Sequence, residues 1–328
     1  MNYRSFDHLN RDIQNWQREL PSDLDLIVGV PRSGLLAGNL LALHLNLPLT
    51  TVEELEKRSI LQSGRRLKQN EDFSSFKNIL VVDDSVNTGK TIESVKTQIE
   101  SLNLSMNIHY GAAYVSEQGK GYVDTYANVV RTPRVFEWNM MHHSGLSDWA
   151  IDLDGVLCRD PLPSENDDGE RYREFISKVK PRVVPSKKIG LIVTCRLEKY
   201  RDITEEWLSN HGIEYEQLIM MDHPSMEARQ AAGNHAEYKA NVYDNTETRL
   251  FIESDENQAK KIARLTRKPV FCVNSNCMYR QEYLTRVGRE TVDSVKTVRS
   301  NPQKYARMFA DDPVDFCKKV AIRIFKSG

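Results

Sequence analysis

Apolar positions along this chain fall into two alternating patterns. Solid apolar runs occur at Leu24–Val30, Ile79–Val82, Ile108–Val115, the segment Trp149–Leu157, Ile189–Val193, Leu250–Ile252 and Pro269–Val273, with a shorter one at Val129–Val130. Runs of this kind predict strands covered on both faces. Between them the period lengthens to that of helices. Phe6, Leu9, Ile13, Trp16 and Leu20 are spaced for a helix ended by Pro21, suited to either core or a substrate lid. A leucine-rich helix runs to about Asn46, one over 91–102 carries Ile92, Val95, Ile99 and Leu102 on a single face, and another covers 256–265. Alternating strand and helix predicts an α/β chain with parallel sheets. Residues 278–328 also read as helical, with Asn301-Pro302 as a start signal.

The chain has 328 residues, enough for two cores. Its net charge of −1 offers no general attraction to nucleic acid or anionic membrane. No apolar run reaches the roughly 18 residues of a membrane span, and the polar start MNYRSFDHLNRD is unlike a signal peptide. The expectation is a cytoplasmic protein without a membrane partner. Cys158, Cys195, Cys272, Cys277 and Cys317 show neither CxxC nor zinc spacing and read as reduced thiols, mostly buried.

Candidate chemistry concentrates at Ile79–Thr91, ILVVDDSVNTGKT. An apolar strand runs into Asp83 and Asp84, then a polar turn, then a helix start. Free backbone N–H groups at such a start hold phosphate, and carboxylates at the strand end hold hydroxyls. The tail Gly89-Lys90-Thr91 imitates a nucleotide-binding P-loop, but that pattern needs glycine where Asp84 stands. The stretch resembles the phosphoribosyl-pyrophosphate (PRPP) signature of type I phosphoribosyltransferases. The resemblance implies that Asp83 and Asp84 grip the ribose hydroxyls while Ser85, Asn87, Thr88, Gly89, Lys90 and Thr91 surround the 5′-phosphate.

Some fifty residues earlier, GVPRSG at Gly29–Gly34 looks like the family's pyrophosphate loop, which makes Pro31, Arg32, Ser33 and Gly34 substrate-binding candidates. The basic segment KRSILQSGRRLK at Lys57–Lys68 occupies the place of the family's closing loop and adds Arg65, Arg66 and Lys68. A variable hood selects the acceptor in this family. Here the N-terminal helix and Arg134–His143 are candidates for it, and Phe136 and Trp138 are flat side chains that either stack on an acceptor or belong to the core.

The second half opens with WAIDLDGVL, whose Asp152 and Asp154 lie two residues apart at a strand end, where they can share a metal. This resembles motif one of haloacid dehalogenase-like (HAD) phosphatases, implying Asp152 as nucleophile and Asp154 as proton donor. Thr194, ending the next strand, matches the phosphoryl-binding hydroxyl. Lys239, the sole lysine from residue 200 to 259, takes the third motif by order. The fourth falls on Glu253-Ser254-Asp255, so Asp152, Asp154 and Glu253 or Asp255 are the implied metal ligands, with Mg²⁺ as cofactor. The insert Arg159–Lys188 is polar and too short for a large cap.

These resemblances imply two Rossmann-like parallel-sheet domains, phosphoribosyltransferase-like over 1–144 and HAD-like over 145–277, followed by a helical basic tail over 278–328. The implied function is PRPP-dependent transfer of phosphoribose to an unidentified acceptor, coupled to hydrolysis of a phosphomonoester such as the product's 5′-phosphate. The alternative is a PRPP sensor or phage-defence effector. The tail offers a surface to nucleic acid or an acidic protein partner, and the oligomeric state is open.

Overall fold

The computed structural model describes residues 1–61 and 73–280, and the chain divides into two compact units, Met1–Met140 and Met141–Gly328. The first contains β1 (Asn2–Arg4), α1 (Phe6–Trp16), β2 (Leu26–Gly29), α2 (Ser33–Leu45), β3 (Leu49–Thr51), α3 (Val52–Glu56), β4 (Asn78–Val86), α4 (Lys90–Ser101), β5 (Asn107–Val115), β6 (Thr125–Val129) and β7 (Arg134–Phe136). Five strands form a parallel sheet in the order β3-β2-β4-β5-β6, and β1 pairs separately with β7.

Period-two alternation along β4 divides this core. Ile79 and Val81 pack with Ile92, Val95 and Ile99 of α4, while Leu80 and Val82 pack with Leu9, Ile13 and Trp16 of α1 and Leu41 of α2. Each fully buried aliphatic side chain contributes about 1.5–3 kcal/mol, so β4 is anchored from both sides and its end is a rigid place for a site. The Ser5 hydroxyl caps α1, accepting from the His8 backbone N–H at 3.2 Å, while His8 Nδ1 accepts from the Ser5 N–H at 3.1 Å. This helix belongs to the core: Leu9, Ile13 and Trp16 are buried, and Trp16 Nε1 donates to Thr125 Oγ1 at 2.8 Å. It ends at Trp16, four residues short of Leu20.

The second unit contains β8 (Trp149–Ile151), α5 (Glu170–Lys178), β9 (Ile189–Leu197), α6 (Arg201–Asn210), β10 (Tyr215–Met221), α7 (Met226–Ala232), α8 (His235–Asp244), β11 (Leu250–Glu253), α9 (Glu256–Thr266), β12 (Val270–Cys272) and β13 (Cys277–Tyr279). Its sheet runs β10-β9-β8-β11-β12-β13, parallel except for β13, which lies antiparallel to β12. Because β8 is flanked by β9 on one side and β11 on the other, its carboxyl end is a topological switch point, where open α/β sheets bind ligands.

One expectation is corrected here. Met278 and Tyr279 do not start a helix but pair in β13, Met278 opposite Phe271, so apolar residues that suit either period are claimed by a free sheet edge. The rest of the expected tail, 281–328, lies outside the described residues. The polar insert after Arg159 carries α5, which buries Tyr172, Phe175 and Ile176. Among the described residues Cys158 and Cys272 are buried thiols and Cys277 an exposed one, and no helix is long and apolar enough to cross a membrane.

Candidate functional sites

In the first unit the site forms where β2 and β4 end. The Pro31–Arg32 peptide is cis, and Ser33 opens α2. Ser33 Oγ donates to Asp84 Oδ1 at 2.8 Å, joining the loop after β2 to the acid pair on β4. Gly34 permits the approach, because a Cβ there would stand 2.8 Å from the Val82 carbonyl oxygen and 3.0 Å from Asp83 Oδ1. The turn after β4 exposes Asn87, Thr88, Lys90 and Thr91 around the start of α4, while Ser85 is half-buried. Gly89 sits in that turn at φ 77°, and a Cβ there would come within 2.4 Å of the Tyr122 ring. Only glycine gives both that conformation and that clearance. Free N–H groups at the N-terminus of α4 meet the requirements of a phosphate cradle.

Asp83 and Asp84 are buried at 7% and 5% exposure. Burial pushes the Asp83 carboxyl up to about 8, with the Asp84 charge and side chain adding to it and the Asp84 backbone N–H and Arg134 opposing. Trp138 Nε1 donates to Asp84 Oδ2 at 2.7 Å. Arg134 is held below its usual range by burial, against the pull of Asp84 and Asp83, and its Nη1 is buried with no hydrogen-bond acceptor. The rings of Phe136 and Trp138 stack on each other at 4.9 Å and 11°. Sequence reasoning had singled out Trp138 for its face, whereas the structure also uses its N–H. Arg65, Arg66 and Lys68 lie outside the described residues.

In the second unit the strand register sets Ile151 beside Ile252, so Asp152 and Glu253 follow at one level. Lys239, on α8, is 2% exposed and reaches between them, donating to Asp152 Oδ2 at 2.7 Å, Glu253 Oε2 at 2.8 Å and Gln258 Oε1 at 3.2 Å. Burial pushes Asp152 well up against the Lys239 charge. The same burial pulls the Lys239 ammonium down, but the Asp152 and Glu253 charges together outweigh it and the net shift is upward. Thr194 is fully buried, and its Oγ1 accepts the Arg196 N–H at 3.1 Å.

Asp154 faces a different partner. Arg196 donates to it through Nη2 at 2.7 Å and through Nε at 3.0 Å and 3.2 Å, and also through Nη2 to Cys158 Sγ at 3.4 Å. Burial and the Asp154 charge push the Cys158 thiol up. Asp255 caps α9, accepting from the Gln258 N–H at 2.7 Å, so of the two acids left open by the sequence only Glu253 joins the buried group. Among the described residues no three His, Cys, Asp or Glu side chains gather as a metal site. The candidate Mg²⁺ ligands, Asp152, Asp154 and either Glu253 or Asp255, are instead committed to Lys239, Arg196 and the α9 cap. They do not fit a preformed cation cage.

Comparison with known proteins places these features. Residues 2–144 match the phosphoribosyl transferase domain family. A xanthine-guanine phosphoribosyltransferase of Cereibacter sphaeroides is 30% identical over 122 residues, covering 35% of this chain and 68% of the relative. Another, of a Ruegeria species, is 28% identical over 127 residues with the same coverages. Among solved structures, a purine phosphoribosyltransferase from Pyrococcus horikoshii aligns at 22% identity and a TM-score of 0.32, covering 42% of this chain and 92% of its own. Through residues 2–144, the chain belongs to the phosphoribosyl transferase domain family.

Proposed function

We propose that the first unit transfers phosphoribose from PRPP to a nitrogen acceptor. The observation that carries this reading is the Ser33–Asp84 hydrogen bond of 2.8 Å, which unites two phosphate-type loops around one acid pair. The turn at Thr88–Thr91 takes the 5′-phosphate, Pro31–Gly34 the pyrophosphate, and Asp83 and Asp84 the ribose hydroxyls. As the anomeric C–O bond breaks, its electron pair leaves with pyrophosphate. The acceptor's nitrogen lone pair forms the new C–N bond, and the acceptor proton passes to solvent. Catalysis is then chiefly positioning and charge stabilisation. Magnesium enters as the counter-ion of PRPP.

The two relatives are named for xanthine and guanine, so these bases are the first acceptors to supply. Multiple-turnover pyrophosphate release that requires an acceptor is expected, and it separates an enzyme from a PRPP sensor. Stoichiometric binding without release under any acceptor would overturn transfer. PRPP should also raise the melting temperature, by linkage worth about 2.7 kcal/mol at a hundredfold excess over Kd, and Asp83→Asn with Asp84→Asn should abolish that shift.

For the second unit the reading is phosphomonoester hydrolysis, supported by Lys239 lying between Asp152 and Glu253. Asp152 attacks phosphorus and displaces the alcohol oxygen, and water then releases phosphate from the aspartyl phosphate. Lys239 balances the charge, Thr194 holds a phosphoryl oxygen, and Asp154, aligned by Arg196, gives the leaving oxygen its proton. A phosphoribosylated product carries a 5′-phosphate of the right class, and one chain raises the local concentration of such an intermediate. With PRPP labelled at the 5′-phosphate, inorganic label should appear only with acceptor, and Asp152→Asn should leave it on the product. Equal release without acceptor would show two unrelated activities.

A further inference from the structure

The neighbours Asp83 and Asp84 are held in unlike ways. Asp84 has both carboxylate oxygens engaged by side chains, Oδ1 by Ser33 Oγ at 2.8 Å and Oδ2 by Trp138 Nε1 at 2.7 Å. Asp83 accepts a backbone N–H, that of Asp84, on Oδ1 at 2.8 Å. The two side chains on Asp84 come from opposite directions in sequence, 51 residues before it and 54 after. One stands in the first turn of α2, within the Pro31–Gly34 segment assigned to pyrophosphate. The other follows β7, in the segment assigned to the acceptor.

The indole is itself fixed. Its ring lies on Phe136 at 4.9 Å and 11°, and Phe136 lies on Tyr114 at 5.4 Å and 15°. Tyr114 is fastened in turn, its hydroxyl donating to Asp12 of α1 at 2.9 Å. Stacking sets the plane of the indole, and the bond to Asp84 fixes its rotation within that plane. Hydrogen bonds to a charged acceptor are the strong class, so Ser33 and Trp138 together hold the Asp84 carboxylate in one orientation before any ligand arrives.

We propose that Trp138 is a positioning residue for PRPP binding: with Ser33 it clamps Asp84, so that this acid is fixed in one orientation beside Asp83 at the ribose and ties the pyrophosphate loop to the acceptor side. This rests on the transfer reading above. The clamp accounts for an indole N–H aimed away from the stacked faces. It also makes acceptor and PRPP binding interdependent, because whatever turns Trp138 releases Oδ2, and such coupling is reciprocal.

The test uses the full chain and calorimetric titration with Mg²⁺ and PRPP alone. Trp138→Phe keeps a stacking ring and removes the N–H. It should weaken PRPP by on the order of tenfold, the worth of one hydrogen bond to a charged group, while the ligand-free melting temperature barely changes. Ser33→Ala, which disturbs no aromatic packing, should do the same from the other side. In an Asp84→Ala background Trp138→Phe should add no further loss, since no acceptor is left for the indole N–H. Wild-type affinity in Trp138→Phe overturns the clamp and leaves transfer standing, as does a full additive loss in the double variant. A wild-type chain that takes up no PRPP overturns the transfer reading and this proposal together.

Discussion

Arg196 closes a forked ion pair on Asp154 from a side chain that is 0% exposed, with Nη2 at 2.7 Å from Oδ1 and Nε at 3.0 Å from Oδ2. A planar guanidinium matches a carboxylate in this way and lysine does not. The pair spans 42 residues and ties the end of β9 to the turn after β8. Its worth is mostly the penalty for removing one member, since the other would remain charged away from water.

Arg196→Met should therefore lower unfolding free energy by about 3 kcal/mol, the low end for a broken buried pair, because Asp154 keeps 18% exposure. Adding Asp154→Asn should restore part of that loss, as read from urea midpoints. Equal midpoints for the single and double variants would place the loss elsewhere.

Lys239→Met leaves Asp152 and Glu253 at one level of the sheet without their shared cation. Loss of several kcal/mol is expected at neutral pH. Asp152, already pushed up by burial, would move further up. Acidification towards its protonated form should thus return stability to the variant relative to wild type, and a pH series of melting curves checks this.

The Asp83 carboxyl stands at about 8 in the folded chain against 3.8 as the ordinary value. Its folded form is raised, so the unfolded chain binds fewer protons over that interval and stability falls as pH rises from about 4 to about 8. Asp83→Asn should remove this downward slope and leave the acid limit nearly unchanged. Denaturant melts at four or five pH values measure it, and an unaltered slope would contradict the assignment.

Gly89→Ala meets two obstacles, a φ of 77° and a Tyr122 ring within 2.4 Å of the new Cβ. A destabilisation of at least about 1 kcal/mol is expected from the backbone alone. Tyr122→Ala in the same chain should relieve the clash but not the backbone cost. Recovery to full Gly89 stability would mean that the turn tolerates a left-handed alanine.

What the sequence revealed depended on how local each signal was. At Ile79–Thr91 strand, acids, turn and helix start are contiguous, so one reading covers all four, and β4 with α4 lies where that reading put it. Ser33 and Asp84 lie 51 residues apart and were matched only through the family resemblance. Lys239 followed from its order in the chain. Arg196 gave no warning, since an arginine near a strand end looks solvent-facing until its acid partner is known. Asp255 was legible in retrospect: an Asp with Gln258 three residues on, ahead of an apolar helical stripe, is a capping pattern, and that use removed it from the buried group. Residues 278–279 were misread because a short apolar pair has no period of its own, and an open sheet edge decided it.

The chain has four tryptophans, and they differ in their access to water. Trp16, Trp149 and Trp207 are 1%, 1% and 2% exposed, whereas Trp138 is half-buried. A collisional quencher dissolved in water therefore reaches the indole that touches Asp84 and largely misses the other three. The quenchable fraction of the emission is a native optical probe of that one contact, readable without a label while PRPP or a base is titrated in.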